Sequence, residues 1–164
     1  MSLWFYIAVQ CILIAYAVVG GVFLAFSDFI MRSLALSVSG AGTMQVINRE
    51  VFRWVFMALF LLLAPVSLAL AFYGVIVAGG TAGILIAIAG MTYVVGCFGV
   101  TICFNVPMNN ALADLDGTSD AAKVYWQGTY VPRWTFWNSV RTAACITASG
   151  ALLAGLTWSQ VGSY

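Results

Sequence analysis

Histidine is absent from the 164 residues, and charge is scarce: Lys and Arg number 6, Asp and Glu 5, and charged residues make up 7% of the chain. Without histidine the commonest ligand for zinc, copper and haem is missing, together with the commonest general base. A soluble domain carries about 25% charged residues, so a water-facing surface cannot be built from this composition. The net charge is +1 with no basic cluster, which argues against nucleic acid as a partner. The sequence also lacks a phosphate-binding glycine loop, a dinucleotide fingerprint and a nucleophile elbow. Cys11, Cys97, Cys103 and Cys145 all fall in apolar runs with no C-x-x-C pair, and they read as small buried hydrophobes.

What is present is apolar length. Hydrophobic residues make up 63% of the chain and arrive in runs of about 20 or more, enough to cross a core about 30 Å thick at about 1.5 Å per residue. The expected fold is all-α, a four-helix transmembrane bundle forming one unit over residues 1–164. Its spans are about 3–26, 54–73, 81–104 and 132–158, with short cytoplasmic-side helices in the first and third connections. The opening MSLWFYIAVQ has no positive n-region and reads as a retained first span.

Spacing assigns faces to these spans. Gln10, Ala17, Gly21, Ala25 and Asp28 share one stripe of span 1, expected to look into the bundle. Gly83, Ala87 and Gly90 begin a close-packing seam on span 3 that continues through Cys97 to Thr101. On span 4 the seam of Ala144, Ala148, Ala151 and Gly155 extends back to Arg141 and Trp137, so Arg141 is predicted to point inward. Pro65 predicts a kink in span 2. Asn105 is expected to cap a new helix opened by Pro107, and Pro132 to open span 4. Every Lys and Arg falls in or beside the first and third connections, which the positive-inside rule places in the cytoplasm, with both termini outside.

Three groups of residues could carry chemistry. Asp28 and Arg141 would meet at the cytoplasmic mouth, with Asp28 as a base, or else form a structural pair, or Asp28 would pair with Arg32. Asn105, Asn109, Asn110 and Asn138, with Gln45 and Asn48 across from them, suit a phenol, quinone or enolate oxygen; amides also cap helices and bind buried turns. Trp126, Tyr130, Trp134 and Trp137 form either a membrane-interface belt or a stacking surface for a flat ligand.

N-V-P-M-N-N-A-L-A (105 to 113), a following Trp, R-W-T-F-W-N-S-V-R-T (133 to 142) and the upstream Q-V-I-N (45 to 48) resemble the anthrone oxygenase-like family, whose bacterial members are known mainly as a domain of unknown function. The resemblance extends over nearly the whole chain. It implies a small four-helix membrane protein oxidising anthrones to anthraquinones with O2, without metal or flavin, and hence no cofactor. The matching positions are Gln45, Asn48, Asn105, Pro107, Asn109, Trp126, Arg133, Trp134, Asn138 and Arg141. A histidine base is unavailable here, which leaves Asp28, Glu50 or Asp114.

Two functions follow. In the first, a hydrophobic phenolic, anthrone-like or quinol-like substrate enters from membrane lipid into a bacterial inner membrane protein with periplasmic termini. Asp28, Arg141, Asn105 and Asn109 would be catalytic, and Gln45, Asn48, Trp126, Trp134, Trp137 and Asn138 would bind the substrate. In the second, the chain is a non-catalytic accessory subunit of a larger membrane complex or a homo-oligomer, or binds a lipid or quinone without turnover.

Overall fold

The computed structural model describes residues 3–53 and 55–161. Trp54, the expected first residue of span 2, lies outside them. Five helices account for nearly all of the described chain: α1 (Leu3–Leu36), α2 (Gly40–Glu50), α3 (Val55–Ala78), α4 (Gly80–Ala113) and α5 (Asp120–Ser159). All but α2 are long and apolar enough to cross a membrane. Their outward faces carry Ile14, Val18, Leu24, Leu62, Phe72, Ile84, Ile146 and Leu153, a display of apolar surface that suits lipid and not water. The chain is therefore an integral membrane helical bundle.

Helix α5 packs closely against both α1 and α4, and α3 packs against α4. The α4 and α5 seams hold as expected, because glycine lets backbones touch. A Cβ on Gly83 would strike the carbonyl oxygen of Gly74, and one on Gly90 that of Ser67. Gly155 sits where a Cβ would come within 3.1 Å of Ile86. The α3–α4 turn needs glycine for a different reason, since Gly79 and Gly80 have φ of 61° and 56°. Pro65 lies within α3 without breaking it.

The α1 stripe is corrected. Gln10, Ala17, Gly21 and Asp28 are exposed, and the buried face is Val9, Tyr16, Val19, Gly20 and Phe23. In a helix apolar all round, small residues alone do not choose the inner face. Tyr16 does: its ring stacks on Tyr93 at 4.9 Å and its hydroxyl shares a 2.6 Å hydrogen bond with Ser67. Cys11 and Cys103 are likewise exposed, and Cys97 and Cys145 buried.

The spans are longer than expected because the helices do not stop at the polar segments. Asn105 caps nothing: it is helical, and α4 runs on through Pro107 to Ala113. Likewise α5 begins at Asp120 and passes Pro132 unbroken. A proline lacks the N–H and crowds the carbonyl four residues back, here Cys103 and Gly128. Both carbonyls lie in wide π-helical turns, Thr101–Asn105 and Trp126–Tyr130, which give the rings room. Further wide turns lie in α1 (Phe26–Ile30), α3 (Gly74–Ala78) and α4 (Tyr93–Gly99). The helical segments expected in the third connection are thus extensions of the spans, with only residues 114–119 linking them.

Candidate functional site

The site begins with Gln45 on α2. Its amide donates to the carbonyls of Leu112 (2.7 Å) and Leu115 (2.9 Å), fastening the first connection to the end of α4. Behind this clamp, Met31, Ala41, Met44, Leu112, Trp126, Tyr130 and Trp134 form a second apolar cluster, separate from the core of the bundle. Trp126, Tyr130 and Trp134 succeed one another at i, i+4 on α5 and stack with centroid separations of 5.2 and 6.1 Å.

This stack presents one hydroxyl to both connections. Asn48 Nδ2 donates to the Tyr130 hydroxyl at 3.3 Å, and that hydroxyl donates to Asn109 Oδ1 at 2.8 Å. Trp134 Nε1 donates to the same Asn109 oxygen at 2.8 Å. With its oxygen doubly engaged, Asn109 keeps its NH2 group for something else.

Beside it stands Arg141, 5% exposed. Its Nη2 donates to Asn138 Oδ1 at 2.6 Å and its Nη1 to Thr101 Oγ1 at 3.2 Å. The guanidinium lies 4.2 Å from the centre of the Phe23 ring and 5.2 Å from that of Trp134. Asn138 is held in turn by the Phe23 carbonyl (2.6 Å) and Ser27 Oγ (2.7 Å) at the edge of the wide turn of α1. Arg141 Nε has no partner. The ion pairs among the described residues, Glu50–Arg53 and Asp120–Lys123, lie on exposed surface, so Arg141 is a buried cation with no carboxylate at ion-pair distance. Burying an uncompensated charge is opposed by several kcal/mol, approximately.

Arg141, Asn48, Asn109, Thr101 and Trp134 open onto one cleft of about 100 Å³, walled by Phe23, Phe26, Phe56 and Phe60, with the exposed Phe52 also lining it. A roomier groove of about 480 Å³ between α1 and α5 is lined by Tyr6, Gln10, Leu13 and Leu153 and carries no charge, so chemistry is assigned to the smaller space.

Of the expected site residues, Arg141, Asn48, Asn109 and Trp134 line the cleft. Asn138 supports Arg141, and Asn105 donates to the Trp134 carbonyl at 3.3 Å. Gln45 is the clamp, and Trp126 lies behind Tyr130. Trp137 is elsewhere, stacked on Phe104 at 3.6 Å beside Arg133 in an outer groove. The expected approach of Asp28 to Arg141 does not occur: Asp28 is exposed and pairs with neither Arg141 nor Arg32. The cause is the rotation of α1 that brings Phe23, and not Asp28, to the guanidinium. Glu50 and Asp114 are exposed too, and no carboxylate lines the cleft.

Sequence reasoning left Tyr130 among the aromatics and missed its bridging role, although its spacing between Trp126 and Trp134 put all three on one face. Nothing in the uniformly apolar runs marks Phe23, Phe56 or Phe60.

Comparison with curated proteins and with solved structures finds no match. The family model for anthrone oxygenase matches residues 44–151, about two thirds of the chain, from α2 through the Arg141 region of α5. It takes in the clamp, both bridged asparagines, the tryptophans and the buried arginine, and on that match the chain belongs to the anthrone oxygenase family.

Proposed function

We propose that the protein oxidises a flat, hydrophobic phenolic or anthrone-like ketone with O2, taking the substrate from the membrane and holding it as an oxyanion beside Arg141. The cleft would lie on the cytoplasmic side of a bacterial inner membrane. One observation carries the reading: a buried guanidinium with an unpartnered Nε and no carboxylate faces a cleft walled by aromatic rings. Such a cation is poised for an anionic oxygen, which its fixed donors would stabilise without reorganisation. The free NH2 of Asn109 is a second donor, and Trp134 with the phenylalanines suits flat rings.

Substrate ionisation replaces a base on the protein. A CH2 flanked by aromatic rings and conjugated to a carbonyl loses one proton to water at the cleft mouth, and its charge delocalises onto the oxygen held by Arg141. O2 adds to the carbanion carbon, the peroxide anion takes up a proton, and loss of water leaves a second carbonyl. One O2 is consumed and one H2O released for each CH2 converted. The pH dependence then follows the ionisation of the substrate, with activity rising as pH rises.

A second reading, quinone or lipid binding without turnover, is favoured by one observation: no proton-accepting carboxylate lines the cleft. Ligand sites usually occupy about 300–1,000 Å³, so either reading requires the cleft to widen as the ligand enters. Oxygen uptake by the purified protein in lipid nanodiscs supplied with an anthrone separates the two. The oxidase reading expects equal amounts of O2 consumed and anthraquinone formed, above the spontaneous rate. Saturable binding with uptake at the spontaneous rate would leave only the second.

A further inference from the structure

The α4–α5 interface continues below Arg141 in a second rung. Thr101 and Arg141 meet at 3.2 Å, and one helical turn further into the bundle Cys97 and Cys145 bring their sulfurs to 3.5 Å. The spacing is i, i+4 on both helices, so the two contacts are successive steps of one ladder, tied together by the hydrogen bond from Thr101 Oγ1 to the Cys97 carbonyl at 2.8 Å. Both thiols are buried, at 0% and 1% exposure, whereas Cys11 and Cys103 are exposed. The helices come close just here: a Cβ on Gly96, the residue before Cys97, would stand 2.8 Å from the Cβ of Ala144, the residue before Cys145.

We propose that Cys97 and Cys145 are a peroxide-oxidisable dithiol that cross-links α4 to α5 directly beneath the cleft. This does not depend on the oxidase reading. A small uncharged hydroperoxide enters from the cleft or the lipid and oxidises one thiol to a sulfenic acid, releasing water (or an alcohol, from an organic peroxide). The second thiol attacks that sulfur, forms the S–S bond and releases a second water. Closure shortens the sulfur separation to about 2.05 Å, a movement on the order of 1.5 Å that falls one turn below the Thr101–Arg141 contact. Burial by itself makes a thiol slow to react, but the 3.5 Å separation across opposed helices places a resolving thiol beside whichever sulfur is oxidised first, which a lone buried cysteine lacks.

The test uses the full chain in mild detergent with Cys11→Ser and Cys103→Ser, exposed positions whose replacement leaves only the buried pair. After treatment with hydrogen peroxide, non-reduced digestion should yield a Cys97–Cys145 linked peptide that dithiothreitol abolishes. With Cys145→Ser added, the same treatment should stop at a Cys97 sulfenic acid trapped by dimedone. The proposal is overturned if both thiols remain fully alkylatable on unfolding, or if Cys97 is oxidised to sulfinic acid without any linked peptide.

Discussion

The two ends of this bundle solve different problems with the same helices. Around Gly74, Gly83 and Gly90 backbone lies on backbone, no side chain is charged, and stability comes from close approach. Both ends contain π-turns, Gly74–Ala78 in the first, but at the other end amides and hydroxyls bond across elements far apart in sequence, and a cation is buried without a counter-ion. The first region sets its glycines directly against facing backbone. The second leaves an arginine N–H and an amide NH2 unused, and unspent donors facing aromatic walls distinguish a site from a core.

The sharpest way to break the comparison is Arg141→Met. Removing a donor from an oxyanion site lowers turnover by about 10²–10³-fold, whereas replacing an uncompensated buried charge by a hydrophobe of similar length is neutral or stabilising. Oxygen uptake should therefore collapse while the thermal midpoint moves little, because relief of the buried charge offsets the lost bonds to Asn138 and Thr101. A fall in both would make Arg141 a structural residue.

The converse change belongs at the packed end. Gly83→Leu drives a side chain into the carbonyl of Gly74, and overpacking of this kind is destabilising by about 1–3 kcal/mol. Denaturation in detergent should show the loss, with turnover per folded molecule unchanged.

Tyr130→Phe has a smaller effect. It deletes the hydroxyl joining Asn48 to Asn109 and leaves the ring stack, so the stability change should be about 1 kcal/mol, with weaker ligand binding as the amides lose registration. An unchanged affinity would show that the bridge does not shape the cleft.

The smallest effect concerns acid. Asp116 accepts hydrogen bonds from the backbone N–H and the hydroxyl of Thr118, which hold its carboxyl below the usual value of 3.8. A carboxylate depressed in the folded state stabilises above its unfolded pKa, and the contribution is lost as pH falls through the folded one. The group is fully exposed, so Asp116→Asn should only slightly flatten acid sensitivity below about pH 4.

How much of this was legible depends on the kind of signal. Helix number was readable from apolar length, and the α4 and α5 seams from small residues that do lie against a facing helix, although the same i, i+4 pattern of Ala17, Gly21 and Ala25 on α1 marks no inner face. Arg141 could be placed inward because it extends such a seam, and Asn48 and Asn109 because amides are conspicuous in an apolar chain. Asp28 could not be placed, since the rotation of α1 is set by Tyr16 meeting Ser67 and Tyr93, a match of shapes between helices that spacing within one helix does not reveal. The continuity of α4 and α5 was hidden because a proline beside polar residues signals a boundary, and the wide turns that absorb Pro107 and Pro132 have no sequence mark of comparable strength.

The central claim is that the cleft holds an anionic oxygen at Arg141. Tryptophan fluorescence titration of the wild-type protein with a flat aromatic phenolate, and in parallel with its methyl ether, tests it most directly, because the two ligands share shape and differ in charge. The account predicts saturable quenching by both, with the phenolate bound at least ~10-fold tighter, the size expected of a charge-assisted hydrogen bond. Equal affinities would mean that the arginine does not face the ligand.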